Sequence, residues 1–136
     1  MTDTYHLTVR GYELDSYNHL NNAVYLNHFE QARWEFFHKH KLLEKLIADN
    51  LILVVTEVNI RYAREAKMFE ELIINTQLLR KEPYLIFRQH TLNQANGLLV
   101  AKASFKTLFL DRNDRSARDI PHCFNQFIIE SANEKE

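Results

Sequence analysis

Between residues 23 and about 47 the chain carries one apolar stripe at helical spacing, and that stripe limits what the rest of the sequence can fold into. Tyr25, Phe29, Ala32, Phe36, His40, Leu43 and Ile47 step by three or four residues and make one continuous face, which Leu26 and Phe37 widen. Glu30, Gln31, Glu35 and Lys39 lie mostly off it. With no Gly or Pro inside, the spacing predicts a single helix of about six or seven turns. A helix this apolar must be covered, and one sheet can cover it only by wrapping around it.

The remaining sequence supplies that sheet. Residues 5–10 alternate large and polar side chains and predict a first strand that ends near Gly11 and Tyr12. After Asn50 the period becomes two: Ile52, Val54, Thr56, Val58, Ile60 and Tyr62 are expected on one face, with Val55, Glu57, Asn59 and Arg61 on the other. Three more strands are predicted over 71–80, 84–92 and 98–111, with Lys81-Glu82-Pro83 and Asn96-Gly97 as the turns. In the last of these, Ala101, Ala103, Phe105, Thr107 and Phe109 share a face, and the two alanines allow a helix to approach closely. The tail 121–131 opens on a proline suited to a first helical turn and carries Phe124, Phe127 and Ile128, which predicts a short docked helix before a frayed, charged end. The expected class is α+β, a curved antiparallel five-stranded sheet around one long helix, as a single domain over 1–136.

Composition excludes several function classes. The 136 residues carry a formal net charge of -1, with basic and acidic side chains interspersed, so neither nucleic acid nor an anionic membrane is an expected partner. The longest central apolar run, 51–55, falls far short of the roughly 20 residues that span a bilayer. A lone cysteine, Cys123, and a polar start at 1–4 give no disulfide framework and no secretory layout, which predicts a cytoplasmic protein. His38 and His40 point to different sides of a helix and no Cys/His cluster has ligand spacing, so no metal and no cofactor are expected. His40, on the apolar stripe, reads as a hydrogen-bonded core or interface histidine.

Chemistry concentrates in residues 15–33, D-S-Y-N-H-L-N-N-A-V-Y-L-N-H-F-E-Q-A-R. Asp15 leads a polar loop, Asn21 and Asn22 follow, and the helix begins within a few residues. A helix start presents unpaired backbone N–H groups and the positive end of the helix dipole, which stabilise negative charge on a ligand or transition state. A carboxylate beside it suits acyl chemistry, and partial burial would bring such a group toward a useful pKa. Read alone, Asp15 also suits a loop cap, Asn21 and Asn22 suit helix caps, and His19 suits a loop-structuring role.

Topology and loop together resemble the hotdog-fold thioesterases, specifically the 4-hydroxybenzoyl-CoA thioesterase-like branch. The residues that carry the resemblance are Asp15, Tyr25 ten positions on, and Glu30-Gln31-Ala32-Arg33, spaced without gaps; His19, Asn21, Asn22 and Tyr25 also resemble the acyl-carrier-protein thioesterases. Two departures are Tyr17 and Asn18, where members of the branch commonly carry glycines. Asn tolerates a left-handed backbone, so Asn18 can keep the turn.

The resemblance implies an acyl-CoA or acyl-carrier-protein thioester as substrate. It makes Asp15 the catalytic nucleophile or general base, the backbone N–H of Asn22 the donor to the thioester oxyanion, and His19 a helper to Asp15 or to the attacking water. Tyr25, Asn21, Glu65 and Arg64 become candidates for substrate binding, and Arg64, Lys67, Arg112 and Arg115 candidates for the phosphates of coenzyme A. It also implies a homodimer or homotetramer with the site at a subunit boundary, for which uncovered edge strands give independent motivation. The rivals are a hotdog dehydratase, whose proline- and glycine-rich histidine loop this chain lacks, and a non-catalytic acyl-CoA-binding protein, which would have no need of Asp15.

Overall fold

The computed structural model describes residues 2–131. Five principal strands form an antiparallel sheet in the order β1-β3-β4-β5-β2: β1 (Asp3–Thr8), β2 (Leu51–Tyr62), β3 (Glu71–Lys81), β4 (Tyr84–Asn93) and β5 (Leu99–Asp111). Two short strands extend it. β6 (Ala117–Arg118) pairs with the end of β5, and β7 (Ile128–Ser131) runs parallel to β3 beyond the end of β1. Helices α1 (Val24–Lys39) and α2 (Leu42–Ala48) lie between β1 and β2 in sequence. This is the α+β hotdog arrangement.

The core forms where α1 crosses the sheet. Tyr25, Phe29, Ala32 and Phe36 are buried as the spacing predicts, and they meet the buried row Ala101, Ala103, Phe105, Thr107 and Phe109 of β5 and Phe87 of β4. Aromatic edges set the fit: Phe29 stands 5.7 Å from Phe105 and Phe36 6.5 Å from Phe87, both T-shaped. Each such side chain contributes about 1.5–3 kcal/mol by leaving water. The edge strand β2 is covered less well, and Val55, Val58 and Tyr62 remain substantially exposed.

Three expectations need correction. The single long helix is two helices, because Lys41 takes a left-handed conformation, φ 55°, between α1 and α2. That turn re-aims the second helix, so Leu42 and Leu46 are buried while Ile47 is 66% exposed and Leu43 only half-buried. The strained residue costs roughly 1–2 kcal/mol, which the burial of two leucines offsets. His40, at the break, packs its ring at a tilt against Phe127, centroids 4.4 Å apart, and lies 3.3 Å from the Asp3 carboxylate through Nε2.

The expected single face of β2 is also interrupted. A bulge at Thr56 shifts the register against β5, so Leu53 and Val55 oppose Phe109 and Thr107, while Val58, Ile60 and Tyr62 oppose Phe105, Ala103 and Ala101. Ile52 and Val54 therefore lie on the opposite face from Val58, Ile60 and Tyr62, because one extra residue inverts the side-chain parity. The tail forms a 3-10 turn (His122–Phe127) followed by β7, not an α-helix. Its three-residue repeat puts Phe124 and Phe127 on one side, where both are buried. The expected frayed end, beyond residue 131, lies outside the described residues. Among the described residues no helix is long and apolar enough to cross a membrane.

Candidate active site

The loop between β1 and α1 is a small knitted hairpin. Its stem is a 3-10 turn (Gly11–Glu13), and the Glu13 carboxylate accepts the Arg10 N–H at 2.8 Å through Oε1. The other oxygen, Oε2, lies 2.7 Å from Nε2 of His28 on α1, with both side chains largely buried, so the stem is pinned to the helix. The Asn21 N–H donates to the Glu13 carbonyl at 2.9 Å, and Leu14 and Leu20 form an antiparallel bridge. Across the throat the Asp15 N–H donates to the His19 carbonyl at 2.8 Å. Asn18 sits at the tip with φ 65°, the left-handed residue the turn demands.

Asp15 stands where this hairpin opens. Its Oδ1 accepts the backbone N–H groups of Tyr17 at 2.8 Å and His19 at 3.1 Å. The carboxylate is thus fixed by its own loop, as a cap would be. Oδ2 has no hydrogen-bond partner among the described residues.

The start of α1 lies beside it. The side-chain oxygen of Asn21 accepts the Ala23 N–H at 2.9 Å, and its carbonyl accepts the Val24 N–H, so Asn21 organises the entry into the helix. The backbone N–H of Asn22 has no acceptor among the described residues. No acidic side chain falls in the first turn, so no carboxylate of α1 itself offsets the positive end of the helix. The Tyr62 hydroxyl donates to the Asn22 carbonyl at 2.8 Å, and the Tyr62 ring meets Tyr25 edge-on at 5.2 Å. Burial pushes the Tyr25 phenol up to about 12, with Tyr62, Glu70 and Glu65 adding to the shift, so it stays protonated at neutral pH.

A pocket of about 330 Å³ brings Asp15, His19, Asn22, Tyr25, Arg64 and Glu65 together, with Tyr62 as a further wall. Asn21 is not among the residues that line it. The His19 ring does not reach the Asp15 carboxylate; its Nδ1 lies 2.8 Å from Oε2 of Glu65. The Arg64 guanidinium donates to the Leu99 carbonyl at 2.7 Å, which holds it beside the start of β5. Arg112 and Arg115 follow the far end of β5, whose thirteen residues span on the order of 40 Å. The four basic candidates therefore do not form one cluster. Glu57 lies on the outer face, 4.0 Å from Lys106. Tyr62, Glu13 and His28 belong to this site or its support and were missed in the sequence. Only Tyr62 carried a signal, as the last residue of the alternating run. Among the described residues no three His, Cys, Asp or Glu side chains converge as a metal site would require.

Comparison with known proteins matches the sequence model of the thioesterase-like superfamily to residues 9–128. Over 113 residues the chain is 34% identical to the long-chain acyl-CoA thioesterase FadM of Escherichia coli (strain K12), covering 82% of this chain and 85% of that protein. The crystal structure of YbaW, a probable thioesterase from Escherichia coli, superposes with a TM-score of 0.86 at 30% identity, covering 93% of this chain and 98% of that one. A 1,4-dihydroxy-2-naphthoyl-CoA thioesterase from Synechocystis shares the fold, with a TM-score of 0.84 at 16% identity over 94% of this chain and 96% of that one.

Proposed function

The chain belongs to the thioesterase-like superfamily, and we propose that it hydrolyses acyl-CoA thioesters to a free carboxylic acid and a thiol at the Asp15 pocket. One observation carries this reading: a carboxylate with a free oxygen and a backbone N–H without an acceptor, at the positive end of α1, line the same pocket.

In this reading the thioester carbonyl accepts the Asn22 N–H, which stabilises the negative charge that develops on oxygen. Loss of one such donor typically lowers the rate about 10²- to 10³-fold. Asp15 acts through Oδ2, as nucleophile on the carbonyl carbon or as base toward the attacking water. The C–S bond breaks, water supplies the new oxygen, and its proton leaves with the thiol. His19 positions Asp15 through its backbone N–H and holds Glu65 through its ring. Tyr25 forms a wall of the acyl seat, and Arg64 and Glu65 flank the entrance used by the coenzyme A portion. Asn21 shapes the helix start without touching substrate.

The similarity to a long-chain acyl-CoA thioesterase supports long acyl chains as the preferred class. The exposed apolar side chains of the edge strand β2 support a homo-oligomer as the working unit, as exposed strand edges invite pairing. The cytoplasm is the compartment this reading assigns, one in which a lone thiol such as Cys123 stays reduced.

The experiment is thiol release from acetyl-, decanoyl-, palmitoyl- and benzoyl-CoA and from palmitoyl-acyl-carrier protein. Fastest release from palmitoyl-CoA is expected. Release from the carrier-protein thioester alone would reassign the substrate, and release from none would leave a binding protein.

A further inference from the structure

A larger cavity, of about 460 Å³, lies between α1, α2 and the first half of β2, and it shares no lining residue with the Asp15 pocket. Its walls are mostly apolar, with Phe37, Leu43, Leu46, Leu51 and Leu53 among them. The volume falls within the range of small-molecule sites.

One wall is a buried cation. Arg33 is only 9% exposed, yet it has no carboxylate partner among the described residues. One guanidinium nitrogen donates to Oε1 of Gln89 at 2.9 Å, and the group lies 4.1 Å above the Phe105 ring. Gln89 is itself committed, through Nε2, to Thr76 at 3.0 Å and the Phe29 carbonyl at 3.1 Å. The remaining Arg33 donors have no partner among the described residues, although a guanidinium carries five. Burial lowers the Arg33 pKa to about 10, with Glu30 opposing the shift, so the group stays charged at neutral pH. A buried charge without a counter-charge is costly. Glu30 also lines the cavity and opposes the shift as a charge, but it is exposed to water and forms no ion pair with Arg33 among the described residues. Arg112, another lining residue, turns toward the Leu51 carbonyl at 3.4 Å.

We propose that this cavity is a second ligand site, which takes an amphipathic carboxylate with its head on Arg33 and its apolar chain against Phe37, Leu43, Leu46 and Leu53. Planar, bidentate pairing is what a guanidinium offers a carboxylate, and the walls offer the chain a dry surface. Arg33 lies nine positions along α1 from its first residue, Val24, about 14 Å of helix at 1.5 Å per residue, so a head group on Arg33 leaves the Asp15 pocket free. The site stands independently of the role given to Asp15.

The test is calorimetric titration of the native protein with decanoate and with decan-1-ol, repeated on Arg33→Gln, Leu43→Trp and Asp15→Asn. Decanoate is expected to bind at least tenfold more tightly than decanol to the native protein and to lose at least tenfold in Arg33→Gln. Leu43→Trp, which fills the cavity and keeps the guanidinium, is expected to lose decanoate as well, and so covers the case in which Arg33→Gln fails to fold. Asp15→Asn is expected to leave decanoate affinity unchanged. The proposal is overturned by equal affinity for acid and alcohol, by decanoate binding that survives both cavity variants, or by binding lost in Asp15→Asn alone, which would place the acid in the hydrolytic pocket. No decanoate binding, together with an oligomer that dissociates in Arg33→Gln, would also overturn it and give the cavity to a second copy of the chain.

Discussion

Glu13, at the stem of the Asp15 loop, reaches across to His28 on α1, with Oε2 and Nε2 2.7 Å apart and both side chains nearly out of water. The contact ties the carboxylate-bearing hairpin to the helix whose first N–H groups complete the pocket. His28→Ala removes the tie without touching the pocket walls. We expect kcat to fall about tenfold with KM nearly unchanged, and stability to fall by about 2 kcal/mol, the range for a hydrogen bond to a charged group. Steady-state kinetics beside urea unfolding would check both, and a variant with unchanged kcat would show that the loop holds its shape alone.

Tyr62 fixes the other side through its 2.8 Å bond to the Asn22 carbonyl. Tyr62→Phe keeps the ring against Tyr25 and removes only the hydroxyl, so a loss of about 1 kcal/mol is expected, seen as a several-fold drop in kcat/KM. A larger collapse in activity would mean that the hydroxyl itself touches substrate.

Arg64 lines the pocket while Arg112 lies at the other end of β5. With acyl-CoA, Arg64→Ala is therefore expected to raise KM roughly five- to tenfold, about 1–1.4 kcal/mol, and Arg112→Ala to leave it alone. With an acyl-N-acetylcysteamine thioester, which lacks the phosphates, Arg64→Ala should have no effect. If both thioesters lose equally, Arg64 acts on the fold of the pocket and not on phosphate.

The edge strand β2 leaves Val55 and Val58 exposed on the face that α1 only partly covers. A charge placed there should oppose association. Light scattering after gel filtration is expected to show an oligomer for the native chain and a smaller species for Val58→Lys, with activity lost in parallel. A native monomer with full activity would dismiss the shared-site arrangement.

The buried Tyr25 phenol gives a pH signature. Its pKa is raised by burial from 10.0 to about 12, so between those values the unfolded chain loses a proton that the folded chain keeps. Stability is therefore expected to be unaffected by this group below pH 10 and to fall as pH rises toward 12. Tyr25→Phe should show a flatter decline over that interval in thermal melts at stepped pH; an equal slope would assign the decline to other groups.

Local patterning made the strands, the α1 stripe and the Asp15 loop legible, down to Asn18 as the left-handed residue of the turn. The failures have a common cause in contacts that bridge distant parts of the chain. Lys41 carries no breaker signal, and its left-handed conformation follows from the burial of Leu42 and Leu46. The Thr56 bulge is invisible because β2 is apolar at both parities before it, from Ile52 to Val55, so those residues fit either register. The Glu13–His28 pair joins residues fifteen apart across a loop, and no local periodicity announces it. His19 was expected beside Asp15 and does lie there, but by its backbone, while its ring turns to Glu65. Asn21 reads equally well as cap or contact in sequence, and its bond from the Ala23 N–H is visible only once the helix start is placed.

Thiol release from palmitoyl-CoA by the native protein and by Asp15→Asn, at matched folding, tests the assignment of Asp15 most directly. Asn keeps a side-chain oxygen to accept the Tyr17 and His19 N–H groups but removes the charge, so the hairpin should persist. Turnover is expected to fall by at least about 10³-fold, the scale of losing a catalytic group, with the fold unchanged. Equal turnover in the two proteins would contradict the assignment and move the chemistry away from Asp15.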